Sequence, residues 1–342
     1  MLRFGEQLSG VRLWEFDDET LLTEVRAGRV ALKGLEGDEA LLCSQSRTFA
    51  VRSAESTNAL LLIAPAQPAI VCAVLSAVLE VKACRPRLAH LFQLLERTRY
   101  RGRAAEAGTD RSLLCTRQQL LSTVQCSEDE LNRELNRLGA VELAGAVRLV
   151  EGDFEHRLLE LALCLAQEHG WDYGAFPAAK AAQLLEAECD GVVTRAVLTC
   201  FGESDGDSLR LDPRRVALRK ARFLLRSKPL WIVGEFLAAL SDALPQSDYF
   251  PPLQAKDCFG FAIVEEKGTL ATIRFFALER VTEENVDEAF AQLFVARATW
   301  PLEQIFPFVQ PLASPTVPVD QLLLRHCYVN RMDPKNVTVS KR

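Results

Sequence analysis

Ten cysteines and four histidines are the side chains of this 342-residue sequence best suited to covalent or metal chemistry. Neither set has the spacing that such chemistry needs. The cysteines stand at 43, 72, 84, 115, 126, 164, 189, 200, 258 and 327, and no two form a C-x-x-C pair. His90, His156, His169 and His326 are far apart. Zinc ligands read from sequence as Cys or His pairs a few residues apart, so no metal site is expected. A cysteine nucleophile needs a base and an electropositive setting to hold it as thiolate. Cys43 lies in LLCSQSRTFAVRSAESTNALLLI, Leu41 to Ile63, and no histidine precedes His90. It is expected to fill a strand as a small apolar residue. Glu15, Asp17, Asp18 and Glu19 lack EF-hand spacing and read as a solvated loop. No P-loop, G-x-G-x-x-G, H-E-x-x-H or G-x-S-x-G motif occurs. The chain is expected to be no enzyme and to hold no cofactor.

The remaining chemistry is electrostatic. Arg210, Arg214, Arg215, Arg219, Lys220, Arg222, Arg226 and Lys228 stand against one acid, Asp212. Arg215, Arg219, Arg222 and Arg226 follow i, i+4, i+7, i+11, which is one face of a helix. Leu218, Ala221 and Leu225 fall on another face. Four like charges in one stripe repel unless anions neutralise them. Nucleic-acid phosphate, an acidic partner or carboxylates of the same chain all qualify. A looser basic group, Arg325, Arg331, Lys335, Lys341 and Arg342, closes the sequence. Arg97, Arg99, Arg101 and Arg103 read as a solvated linker. The nucleic-acid-binding candidates are Arg215, Arg219, Arg222, Arg226, Arg325, Lys335 and Lys341.

The whole chain has a net charge of −6, so it is not a basic nucleic-acid binder overall and any such role rests on local patches. Its length leads us to expect two or more domains. Free cysteines without staple spacing fit a reducing compartment. Asn58 to Leu79 carries no formal charge and is long enough to span a bilayer. Pro65 and Pro68 would break such a helix. The segment reads instead as two buried strands around a P-x-x-P turn, with no membrane partner.

These residues must be positioned by an α+β chain: an N-terminal small β-barrel-like module followed by tandem winged-helix domains. Gly10–Phe16, Arg29–Lys33, Glu39–Ser44, Thr48–Arg52, Ala59–Ala64 and Ile70–Val81 read as strands, and Glu19–Ala27 as a short helix. Gln45–Arg47 reads as a turn and Ser53–Asn58 as a connecting loop. After Arg85-Pro86-Arg87 the period becomes helical. Thr116-Arg-Gln-Gln and Ser127-Glu-Asp-Glu open two helices as capping boxes. Gly139 ends the second, and a hairpin around Ala144-Gly145 follows. Helix, helix, hairpin is the order of a winged helix, and it recurs. The expected divisions are a β module at 1–85 that pairs with partner chains, a linker helix and first unit at 86–151, a second unit with the basic helix at 152–228, a third at 229–280 and a fourth at 281–342.

Leu41-Leu42-Cys43-Ser44, Thr48, Ser56-Thr57-Asn58 and Leu60-Leu61-Leu62-Ile63 together resemble the signature of the DCC-type sister chromatid cohesion proteins. The resemblance continues through Arg85-Pro86-Arg87-Leu88, Leu94-Leu95, Tyr100-Arg101-Gly102, Thr116 to Leu138 and Trp300 to Phe308, and so covers the chain from Val11 on. It implies a non-catalytic subunit of a replication-factor-C-like clamp loader built on the chromosome transmission fidelity ATPase. In that family the β region assembles with the large ATPase subunit and the small subunit of this loader as an interlocked barrel. Winged helices contact single- and double-stranded DNA. The complex contains replication factor C small subunits, docks on the polymerase epsilon catalytic domain and loads or unloads the sliding clamp PCNA, in the nucleus. Ala66 to Ala83 is more apolar than this family leads one to expect, which suits burial against partner strands. The alternative is a stand-alone winged-helix transcription regulator. That role needs a base-reading helix rich in Arg, Asn or Gln, and Glu128–Leu138 sets four acids, Glu128, Asp129, Glu130 and Glu134, against Arg133 and Arg137, which makes it a poor groove reader.

Overall fold

The N-terminal sheet is built on one long hairpin. The computed structural model describes residues 3–4, 8, 10–64, 70–205, 208–267, 270–278, 286–313, 317–330 and 337–342. The first strands are β1 (Arg3–Phe4), β2 (Leu13–Phe16), β3 (Ala31–Lys33), β4 (Leu41–Cys43), β5 (Thr48–Ala64) and β6 (Ile70–Cys84). Helix α1 (Glu19–Arg26) lies between β2 and β3. Asp18 caps α1, its Oδ1 accepting from the Thr20 and Leu21 amides, so one member of the 15–19 acidic run has a backbone role. The strand order is β1-β6-β5-β4-β3, and β2 also pairs with β6. β1 and β2 run parallel to β6, whereas β3, β4, β5 and β6 pair antiparallel in succession. The core under this sheet is small: Leu21, Leu42, Phe49 and Val81.

Two expectations change here. The β-barrel-like module is an open sheet, because among the described residues no strand joins β3 to the far edge, and a barrel needs its outer strands hydrogen-bonded to each other. Ser53–Asn58 is no free loop. β5 runs through it, with Ser53, Ala54 and Glu55 still paired to Leu79, Val78 and Ala77 and a register shift before Leu60. The P-x-x-P turn at 65–68 lies outside the described residues.

After β6 the chain builds one series four times: helix, short extended segment, helix, helix, hairpin, with a 3-10 turn in place of the last helix in the third copy. The first copy is α2 (Ala89–Arg97), α3 (Arg117–Thr123), α4 (Glu128–Arg137), β7 (Val141–Leu143) and β8 (Ala146–Arg148). Both predicted capping boxes form, at Thr116 with Gln119 and at Ser127 with Glu130. The second copy is α5 (Gly152–His169), α6 (Ala178–Leu184), α7 (Gly191–Thr199), β9 (Gly202–Asp205) and β10 (Ser208–Leu211). The third is α8 (Pro213–Arg226), β11 (Trp231–Ile232), α9 (Val233–Ala243), a 3-10 turn at Ala255–Cys258, β12 (Ala262–Lys267) and β13 (Leu270–Phe275). The fourth is α10 (Val286–Ala296), β14 (Thr299–Pro301), α11 (Leu302–Val309), α12 (Val319–His326), β15 (Cys327–Asn330) and β16 (Thr338–Lys341).

One contact repeats with the series. In each copy the extended segment after the first helix pairs with the second hairpin strand. Val147 N–H donates to Cys115 O at 2.9 Å. Phe176 exchanges both backbone bonds with Leu209 at 2.9 and 2.8 Å. Trp231 sits opposite Ile273, and Trp300 opposite Val339. Each copy thereby closes a small core. In the first copy it is Leu91, Leu95, Leu120, Val124, Leu131, Leu135 and Val147. The tertiary pattern is thus a mixed α+β chain of several small sheets.

The chain divides into two compact units, Met1–Thr98 with Asp110–Leu149, and Arg99–Thr109 with Val150–Arg342. The first holds the N-terminal sheet and the first helical copy. There Lys33 Nζ donates to Leu121 O at 2.5 Å and Cys126 O at 2.7 Å. Thr48 Oγ1 donates to the Glu130 carboxylate at 2.5 Å. The second holds the other three copies.

Candidate functional site

Cys43 can be set aside as a nucleophile. It is buried on β4, 3.9 Å from Thr48 Oγ1. Burial pushes its thiol up, which outweighs the pull of Lys33, and a thiolate needs the opposite shift. Burial likewise raises Cys84 to about 11, Cys126 and Cys258 to about 12 and Cys327 to about 11. Among the described residues no group of three or more His, Cys, Asp or Glu side chains gathers as metal ligands. Nor does a described helix have the length and apolarity to cross a membrane.

The β5–β6 hairpin is the first feature fitted for binding. Its strands are 17 and 15 residues long, well past the usual ~5–6. Near its far end Leu60, Leu61 and Leu62 pair with Leu75, Val74 and Ala73, and Ile63 with Val71. Leu61 and Leu62 are each 41% exposed, Ile63 44% and Val74 46%. Neighbours on a strand point to opposite faces, so Leu61 and Leu62 leave β5 partly exposed on both sides at this end, whereas Val71 and Ala73 of β6 are buried. One edge is open as well. β4 pairs with β5 only at Thr48, Phe49 and Ala50. From Val51 to Ala64 no described strand takes that edge, which leaves a row of backbone donors and acceptors unused.

The basic helix is the second feature. α8 spans Pro213–Arg226, because Asp212 caps it by accepting from the Arg214 and Arg215 amides and Pro213 opens its first turn. Val216, Ala217, Lys220, Ala221 and Leu225 form its buried face. The predicted stripe does not point one way. Arg219 is turned inward: its Nη2 donates to Gly152 O at 2.6 Å and to Glu155 Oε2 at 2.7 Å. Burial pushes the Glu155 carboxyl up, against the pull of Arg219 and Arg222. Arg215 lies 3.3 Å from Asp212 and is half exposed. Arg222 and Arg226 are exposed and lie over aromatic rings, with Cζ 4.9 Å from the Phe261 centroid and 4.7 Å from that of Phe275. A guanidinium on a ring face still presents N–H donors outward. The outward cations of the stripe are therefore Arg215, Arg222 and Arg226, while Arg219 serves the fold.

The fourth copy holds the rest. Arg325 is exposed in the last turn of α12, and Lys341 is exposed on β16 opposite Cys327, two residues beyond Arg325. Arg342 joins them, with its Cζ 5.9 Å from the Tyr328 ring centroid and Nη1 donating to Leu324 O. Lys335 lies outside the described residues.

Sequence reasoning missed the ion pairs beneath α8. Lys220, 5% exposed, meets Glu160 at 2.7 Å and donates to Ala243 O. Arg214 pairs with Asp257 at 2.8 Å. His156 stacks on Phe223 with centroids 3.8 Å apart. Burial lowers its pKa, opposed by Glu160 and reinforced by Arg219 and Lys220. The sequence signal was the presence of Glu155 and Glu160 in α5, where Asp153, Arg157 and Glu168 are charged as well.

The outline is that of known proteins. Residues 11–309 match the family described as Sister chromatid cohesion protein Dcc1. The Sister chromatid cohesion protein DCC1 of Xenopus laevis is 29% identical over 335 residues, covering 92% of this chain and 85% of that protein. The protein of that name from Homo sapiens is 25% identical over 366 residues, covering 100% and 92%. The Probable sister chromatid cohesion protein DCC1 of Dictyostelium discoideum is 22% identical over 346 residues, covering 92% and 89%. With the match running from just before β2 to the end of α11, the chain belongs to the Sister chromatid cohesion protein Dcc1 family.

Proposed function

We propose that this chain acts in sister chromatid cohesion and DNA replication as a non-catalytic, nuclear subunit of the replication-factor-C-like clamp loader built on the chromosome transmission fidelity ATPase. The observation that carries this reading is the β5–β6 hairpin. Leu61, Leu62, Ile63 and Val74 near its apolar end are exposed, and no described strand takes one edge from Val51 to Ala64. Strands from the large ATPase subunit and the small subunit complete that sheet by edge pairing. The four helical copies act as winged-helix domains, a reading supported by their element order and by the extended segment on each hairpin.

Phosphate of single- or double-stranded DNA is taken by Arg215, Arg222, Arg226, Arg325 and Lys341. These contacts are to backbone and therefore sequence-independent. Other copies dock the polymerase epsilon catalytic domain, and the complex loads or unloads PCNA. Against stand-alone transcription control stands α4. It would occupy the base-reading position of the first copy, and its first turn exposes Glu128 and Asp129, which repel DNA, while its exposed Arg137 pairs with Glu134. Affinity capture from nuclear extract with the intact chain tests the reading. Recovery of replication factor C small subunits supports it, and recovery of transcription factors alone overturns it.

A further inference from the structure

The open edge of β5 carries an interruption at its centre. β5 and β6 are paired at Glu55–Ala77 and again at Leu60–Leu75. Four residues, Ser56, Thr57, Asn58 and Ala59, therefore stand opposite Ser76 alone. Extra residues on one strand leave amides unpaired, bend the strand and increase its twist. Here the bend is also fixed locally, because the Asn58 amide donates to Ser56 Oγ at 3.1 Å. That amide is not free to join a neighbouring strand.

The position of this interruption matters. An exposed, long edge is a template for pairing with another copy of the same chain, and Leu60–Ala64 makes one half of this edge apolar. Two copies meeting edge to edge along Val51–Ala64 would run antiparallel about a two-fold axis, the usual symmetry of a homodimer. The midpoint of that edge falls between Thr57 and Asn58. The axis would pass through the bulge, where both copies are bent at once. A heterologous strand meets no such coincidence. It can pair with Val51–Glu55 or with Leu60–Ala64 and stop short of the bulge.

We propose that Ser56–Ala59 bars self-pairing and reserves the edge of β5 for short strands of other chains. The second half of this statement rests on the partner-strand reading above; the first half needs no partner and is tested alone. The full-length chain is compared with a variant in which Ser56–Ala59 is replaced by one serine, which puts Glu55 and Leu60 in register with Ala77 and Leu75. A second variant repairs the register from the other strand, by inserting Thr-Val-Thr after Ser76. Analytical ultracentrifugation over a wide concentration series reads the mass, and circular dichroism verifies folding. The wild type is expected to sediment as one chain and each folded variant as two. Adding Leu61→Lys and Ile63→Lys to either variant returns it to one chain. A folded variant that stays single at every concentration overturns the proposal, as does a wild-type chain that pairs equally well. Loss of partner capture by the wild type would instead count against the partner-strand reading and leave this result standing.

Discussion

Leu61 and Val74 face each other across the β5–β6 hairpin, and both remain more than two-fifths exposed. Cross-strand apolar pairs normally sit on a core. This pair has strand neighbours and no described cover, which makes it a ready contact for incoming apolar side chains.

Replacing Leu61 and Ile63 with Asp is expected to weaken capture of the large and small loader subunits at least tenfold, or ~1.4 kcal/mol. Because both residues are exposed, stability of the free chain should move by no more than about 0.5 kcal/mol each. Binding isotherms and thermal melts on the same preparations separate the two effects.

On α8 the arginines should divide by role. Arg215→Glu, Arg222→Glu and Arg226→Glu are expected to weaken duplex binding and flatten its salt dependence by ~0.9 in slope for each phosphate no longer neutralised. Arg325→Glu with Lys341→Glu tests the fourth copy in the same way. Arg219→Glu should behave differently. It strands Glu155 and the Gly152 carbonyl without their donor, and the denaturant midpoint should fall by the equivalent of about 2 kcal/mol. If Arg219→Glu leaves that midpoint unchanged, its inward role is wrong.

Acid should loosen the α5–α8 contact. His156 has a pKa below the ordinary 6.5, chiefly because it is buried. The unfolded chain then binds the proton more readily than the folded one, so stability is full above about 6.5 and falls as pH drops from there. His156→Phe keeps a ring against Phe223 and removes the titration. Its melting temperature should lose less between pH 7 and pH 5.5 than that of the wild type; equal losses would contradict the assignment.

Lys33→Met should destabilise the first unit. The ammonium donates to Leu121 O and Cys126 O, carbonyls that the methionine leaves without that donor at a cost of about 1–3 kcal/mol. Hydrogen exchange at α3 and α4 should rise, whereas α9–α11 in the other unit should be unchanged.

Local signals were legible in the sequence. The arginine spacing marked α8 as a helix, and the Thr116 and Ser127 capping boxes form as read. The hairpin around Ala144-Gly145 appears where these turn residues separate two short strands. What failed depended on distant partners. Ser53–Asn58 is polar and reads as a loop, yet backbone bonding to β6 holds Ser53–Glu55 in a strand regardless of side-chain polarity. Barrel closure could not be judged from strand spacing, since it depends on which edges meet. The arginine stripe was real as a helix face, but Glu155, Phe261 and Phe275, remote in sequence, decide which guanidinium turns inward.

The central claim is that the open edge of β5 receives partner strands. Amide hydrogen exchange tests it most directly, comparing the free full-length chain with its complex with the large ATPase and small loader subunits. Slower exchange is predicted at Val51–Glu55 and Leu60–Ala64, with Ser56–Ala59 little changed. Unaltered exchange along both segments in a complex that demonstrably forms would contradict the claim.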